Sequence, residues 1–143
     1  MQPLIVPGKP DSLEKIRKYT LLAAQDAGLD NKRAYKLSLA VDEIATNIIT
    51  YGYQREGVEG EILVEANLDE RALTITLDDT SGYYDPTLKP SVSPEDFDRP
   101  LEDRGVGGWG VYLAIHSVDE YVYKRRQDHN LNVFVVYRTN DGE

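Results

Sequence analysis

Residues 61–79 carry the pattern that most narrows what this chain can fold into. Ile62, Val64, Ala66 and Leu68 alternate with Glu61, Leu63, Glu65 and Asn67; past an Asp69-Glu70-Arg71 turn, Leu73, Ile75 and Leu77 alternate with Thr74 and Thr76. A period of two on both sides of a polar turn is an antiparallel hairpin with one buried face. The parity runs one step further, so Asp79 falls on the side of Leu73, Ile75 and Leu77 while Asp78 points the other way. A carboxylate ending an inward row needs a donor, and a ligand amino group would serve; at a frayed strand end or as a turn cap it would need none. Both readings of Asp79 are open.

A buried sheet face needs a cover, and the sequence before residue 61 supplies it. Leu4, Ile5 and Val6 lie between Pro3 and Pro7, which suits a short strand at a sheet edge. Asp11 with Glu14 forms a capping-box pattern ahead of Leu13, Ile16, Thr20, Ala23, Ala24 and Ala27 at helical spacing, and Gly28 closes that helix as a left-handed cap. Asp30 or Asn31 starts a longer helix with Leu37, Val41, Ile44 and Ile48 on one stripe and Gly52 as its stop. Beyond the hairpin, Asp85 to Arg104 is a Pro-rich, acidic, strand-poor loop. A glycine cluster at 105–110 then opens a short apolar helix with Val111, Leu113, Ala114 and Ile115. Strands near 120–126 and 131–138, joined by an Asp128-His129-Asn130 turn, finish the chain. Segregated hairpins with few helices predict an α/β (α+β) two-layer sandwich, a mainly antiparallel mixed sheet covered on one face by helices.

Composition limits the function classes. The 143 residues predict one domain, since about 100 to 200 residues make one compact unit. No internal repeat is present. With 16 Lys plus Arg against 25 Asp plus Glu the net charge is −9. A phosphate-tracking surface needs a basic face, and the one dense basic run is Lys124-Arg125-Arg126, so no direct nucleic-acid partner is expected. The absence of cysteine excludes disulfides, thiolate metal sites and a thiol nucleophile. The opening Met-Gln-Pro-Leu-Ile-Val-Pro-Gly lacks the basic and apolar regions of a signal peptide. No apolar run approaches the roughly 18 residues of a membrane span, so a cytoplasmic protein without a membrane partner is expected. Tyrosine makes up 10 of 13 aromatic residues, which suits half-wet packing at sheet faces.

Two further sets of residues could carry chemistry. Glu43 and Asn47 project from one side of the long helix, about a quarter turn from its apolar stripe. They could hold Mg²⁺ or polarise a hydroxyl, or they are a polar pair on a wet face, where Asp42 and Thr46 belong. Arg104-Gly-Val-Gly-Gly-Trp-Gly110 combines glycines with a helix start, the recipe for a phosphate site and equally for a flexible loop. It is not a dinucleotide or Walker-type fingerprint. His116 and His129 are read as structural, and Trp109 as a packing or lid residue.

The order of these signals is more specific than any one of them: a helical Glu-x-x-x-Asn, a hairpin ending in an inward Asp, a long loop, then glycines opening a helix. It resembles the Bergerat ATP-binding fold of the histidine-kinase-like ATPase superfamily. Within it, the chain is similar to the anti-sigma factor serine/threonine kinases, in the phrases Leu-Ala-Val-Asp-Glu-Ile-Ala-Thr-Asn and Gly-Gly-Trp-Gly-Val-Tyr-Leu and over nearly the whole length from Leu4 to Arg138. The resemblance implies ATP and Mg²⁺ as cofactors. Glu43 would activate the attacking hydroxyl, Asn47 would ligate Mg²⁺ and Asp79 would accept the adenine amino group. Gly107, Gly108 and Gly110 would hold phosphates. Arg104 and the loop at about 85–106 would form an ATP lid, with Gly82, Gly105 and Trp109 counted among the nucleotide-contacting residues. It further implies phosphorylation of a small anti-sigma-factor antagonist protein, capture of a sigma factor, and a homodimer.

Two positions depart from the family pattern. Its first glycine box reads Asp-x-Gly, whereas Asp79-Thr80-Ser81 stands here with Gly82 one place late. Either Ser81 narrows the adenine pocket or the loop re-registers by one residue. Tyr51 replaces a frequent histidine. Three readings follow: the kinase; a non-catalytic module that grips a sigma factor or antagonist; and a nucleotide hydrolase or detached histidine-kinase-type domain, disfavoured because no phosphoacceptor helix or transducer domain is seen.

Overall fold

The computed structural model describes residues 1–82 and 108–138. Five strands, β1 (Leu4–Pro7), β2 (Glu61–Leu68), β3 (Ala72–Asp79), β4 (Glu120–Arg126) and β5 (His129–Tyr137), form one sheet in the order β1-β2-β3-β5-β4. Every pairing among them is antiparallel, so the sheet shows no mixed component among the described residues. Helices α1 (Leu13–Ala27), α2 (Asn31–Asn47) and α3 (Gly108–His116) complete the two-layer α/β arrangement.

The core is the inward parity row of the sheet pressed on the helical stripes. Val6, Ile62, Val64, Leu73, Ile75, Leu77, Phe134 and Val136 meet Ile16, Ala23, Ala24, Leu37, Val41, Ile44 and Ile48, all buried. β1 is an edge strand, as its flanking prolines predict, and pairs Val6 with Ile62. Gly28 closes α1 at φ 77°, and its amide reaches the carbonyls of Ala24 and Gln25. Asp30 is the N-cap of α2 and accepts from the Arg33 amide at 2.8 Å.

Three local expectations are corrected. Asp11 does not cap α1: Pro10–Ser12 form a 3₁₀ turn that takes in Asp11, and the N-cap Ser12 makes no capping bond. The Ser12 hydroxyl instead donates back to the Pro7 carbonyl at 2.6 Å. Gly52 does not end the long helix. The chain continues from α2 as a π-helical segment, Ile48–Gln54, with Gly52 inside it. Glycine is required there by a neighbour, because a Cβ at Gly52 would lie 2.5 Å from Ser81 Oγ. The last turn is Gln127-Asp128, not Asp128-His129-Asn130: Gln127 takes φ 56°, and His129 and Asn130 already pair with Arg126 and Arg125. The expected loop and lid at 85–106 lie outside the described residues.

Candidate nucleotide site

Asp79 ends β3 facing inward and is only 1% exposed, so the parity argument placed it correctly. Its Oδ1 accepts three hydrogen bonds, from the Ser81 amide at 2.9 Å, the Ser81 hydroxyl at 2.6 Å and Asn130 Nδ2 at 3.0 Å. Its Oδ2 is also buried and has no hydrogen-bond partner among the described residues. A bare buried carboxylate oxygen is costly, and the natural remedy is a donor brought by a ligand. Asp78, on the other face, pairs with His129 Nδ1 at 2.6 Å, a surface role for that histidine.

Ser81 resolves the question raised by the altered glycine box. It is 3% exposed, fills the position two after Asp79 and packs against the bare backbone of Gly52. Gly82 is at no positive φ and, among the described residues, nothing approaches where a Cβ would be; its carbonyl accepts from Asn130 Nδ2 at 3.1 Å. A small pocket opens between the helical layer and the strand ends, lined by Ile44, Ile48, Gly52, Asp79, Ser81, Asn130 and Asn132. Ile44 and Ile48 make its apolar wall and Asp79, Ser81, Asn130 and Asn132 its polar one.

Asn130 and Asn132 were not picked out from the sequence. Both are 2% exposed. Asn130 ties the pocket floor together: Nδ2 is shared among Asp79 Oδ1 and the Ser81 and Gly82 carbonyls, while Oδ1 accepts from Arg125 Nη1 at 2.9 Å and from the Tyr123 hydroxyl. The signal was in the parity of β5, where Asn130, Asn132, Phe134 and Val136 share the inward side. Two asparagines on an inward row call for partners. Tyr53 was also missed: it is fully buried, donates to the Glu61 carbonyl at 2.8 Å and accepts from the Thr80 amide at 3.0 Å, which anchors the chain just past Asp79.

Glu43 and Asn47 are not on a wet face. Glu43 is half-buried and its carboxyl abuts Gly110 in the first turn of α3, where a Cβ would come within 2.3 Å of it. Burial first, and the neighbouring Asp42 second, raise its pKa above the usual carboxylate value. Asn47 is 3% exposed and its Nδ2 has no hydrogen-bond partner among the described residues. Asp42 turns outward to pair with Arg17 Nη2 at 3.0 Å. Thus α2 delivers Glu43 to the start of α3 and Ile44 to the Asp79 pocket, and the π-helical segment that follows delivers Ile48. Gly108 and Trp109 lie in the first turn of α3, whereas Arg104, Gly105 and Gly107 fall outside the described residues. His116 stacks on Tyr112, with ring centroids 4.5 Å apart. Tyr51 carries the Arg55 guanidinium over its ring at 5.1 Å.

An antiparallel sheet under three helices, with a buried strand-end carboxylate in a pocket and a second carboxylate at a glycine-opened helix, defines the ATP-binding class anticipated from the sequence. The chain belongs to the histidine kinase-like ATPase domain family, whose pattern it matches over residues 6–136. Among curated proteins it is 28% identical over 116 residues to the serine-protein kinase RsbW of Bacillus mycoides (strain KBAB4), which covers 80% of this chain and 71% of that protein. The serine-protein kinase RsbW of Bacillus thuringiensis (strain Al Hakam) matches to the same extent. These relatives accord with the resemblance to anti-sigma kinases drawn from the sequence. Among solved structures, the RsbU and RsbW domains of Rv1364c from Mycobacterium tuberculosis align with a TM-score of 0.62 at 16% identity, over 95% of this chain and 32% of that one. The histidine kinase domain of the Erythrobacter litoralis EL346 blue-light-activated histidine kinase aligns at 0.52 and 15% identity, over 88% of this chain and 59% of that one.

Proposed function

We propose that the protein is an ATP-dependent serine/threonine protein kinase and anti-sigma regulator that phosphorylates a small anti-sigma-factor antagonist in a partner-switching system. The observation that carries this reading is the buried Oδ2 of Asp79, which has no hydrogen-bond partner among the described residues, in a small pocket at the strand ends. That oxygen accepts the adenine amino group. Phosphates extend toward the first turn of α3, which carries Gly108 and Gly110; by the family resemblance Arg104, Gly105, Gly107 and Trp109 are further nucleotide-contacting residues. Helix N-terminal amides favour that placement.

Mg²⁺ suits the donors present. Among the described residues no cluster of three or more acidic or histidine side chains could cage a cation; Mg²⁺ would need few protein ligands here, since it is commonly bound through substrate phosphates. Asn47, buried on α2, would supply a protein oxygen through its amide carbonyl. A Mg²⁺ ion held there would supply charge neutralisation on the phosphates. Glu43 takes the proton of the acceptor serine as its oxygen bonds the γ-phosphorus and the bond to the ADP oxygen breaks. A carboxyl held above its usual pKa by burial is a stronger base than an exposed one.

A second reading, a binding module without turnover, draws on one observation: Ser81 fills the position where the family has glycine. Calorimetric titration with ATP, with and without Mg²⁺, beside Asp79→Asn and Asn47→Ala, separates the two. Magnesium-dependent binding by the parent, weakened at least tenfold in Asp79→Asn and stripped of its magnesium dependence in Asn47→Ala, supports the kinase. No binding by folded parent protein overturns it and leaves the binding module.

A further inference from the structure

The unpartnered oxygen of Asp79 has a neighbour of opposite hydrogen-bonding character. Asn132 sits two residues along β5 from Asn130, opposite Leu77, so its side chain shares the inward row with Asp79 and lines the same pocket. Its Oδ1 accepts from the Tyr121 hydroxyl, which reaches across from β4. With its oxygen turned to Tyr121, the amino end of the amide is the part left for another partner. On the Asp79 side the choice is fixed as firmly, since Ser81 and Asn130 consume Oδ1 and leave Oδ2.

The pocket lining therefore includes an acceptor, Asp79 Oδ2, and a donor, Asn132 Nδ2. Adenine offers the complement on its Watson–Crick edge, an exocyclic amino group next to the N1 lone pair. Guanine offers the reverse, a carbonyl next to an N1–H. We propose that Asn132 is a specificity-determining residue of the nucleotide site: its Nδ2 donates to N1 of the adenine whose amino group Asp79 Oδ2 accepts, and the Tyr121 hydroxyl positions it. The proposal rests on the nucleotide reading above and adds the second half of base recognition. A site with both groups fixed rejects a base lacking either partner, because a buried polar atom is then left bare.

The test pairs a deletion in the ligand with one in the protein. The full chain is titrated calorimetrically with ADP and with 1-deaza-ADP, in which N1 is replaced by C–H, as parent, Asn132→Leu and Tyr121→Phe. The parent binds ADP at least fivefold more tightly than 1-deaza-ADP. Asn132→Leu binds the two within twofold, and Tyr121→Phe narrows the gap while still binding ADP. Equal binding of the two ligands by the parent overturns the proposal, as does a gap that persists undiminished in the variants. ADP binding with an unmoved ratio removes Asn132 alone and leaves the nucleotide reading standing; no ADP binding by folded parent removes both. Circular dichroism checks the fold, and should Asn132→Leu unfold, Tyr121→Phe decides the matter, since it removes one hydroxyl from an edge strand.

Discussion

The Glu43 carboxyl lies between α2 and the first turn of α3, where burial and then Asp42 hold its pKa above the ordinary carboxylate range. The sign of the consequence follows from proton linkage. Between its unfolded and folded pKa values the native state binds more protons than the unfolded chain, so stability falls as pH rises through that interval and stays lowered above it. Glu43→Gln removes this cost. The variant should melt at the same temperature as the parent or higher at pH 7.5, lose that advantage as pH drops below about 4.5, and transfer no phosphoryl group. A melting temperature well below that of the parent at neutral pH would refute the assignment of burial as the dominant cause. In the parent, the acid limb of the kcat/KM profile should lie above the range of an exposed glutamate, because the base must be ionised to act.

At the scale of elements, the π-helical segment that prolongs α2 and the turn that leaves β3 are fitted to each other through Gly52 and Ser81. A methyl group on Gly52 would stand 2.5 Å from Ser81 Oγ and 2.7 Å from its Cβ. Gly52→Ala should therefore cost about 1–3 kcal/mol by overpacking. Ser81→Gly, which removes the obstructing atoms, should restore most of that loss in the double variant even though it forfeits a hydrogen bond to Asp79. Denaturant melts of the two single variants and the double variant complete the cycle, and additive losses would show that the two positions are uncoupled. The same contact explains why a glycine that reads as a helix stop is nothing of the kind. Its residue type answers to a neighbour 29 positions away in sequence, which local periodicity does not carry.

On the scale of the whole molecule, Arg138 gathers the layers at the edge of the described structure away from the pocket. Its Nε donates to the Ala27 carbonyl at the end of α1 at 3.1 Å, and its Nη1 donates to the Asp69 carbonyl in the hairpin turn at 2.9 Å. Its own carbonyl accepts from Arg33 of α2 at 3.2 Å. The cation also sits favourably at the negative end of the α1 dipole. Arg138→Ala should lower stability by about 1–2 kcal/mol, less than two fully buried charge-assisted bonds would give because the side chain is partly exposed. It should leave nucleotide affinity unchanged. A loss of ATP binding at full folding in that variant would contradict the separation of staple and site.

The sequence by itself determined the element order, the hairpin parity, the cover of one sheet face by helices and the inward aim of Asp79, because each follows from a period of two or 3.6 residues and needs no partner to be specified. The order of Glu43, Asn47, Asp79 and the glycine cluster was enough to suggest the family. Only the tertiary structure decided that Asn47 and Asp79 are buried with bare atoms, that Ser81 rather than Gly82 occupies the strand-end position, and that Asn130 and Asn132 close the pocket floor. Those features depend on which atoms of distant segments touch, and hydrogen-bond satisfaction and steric fit are properties of the assembled pairs, not of any window along the chain.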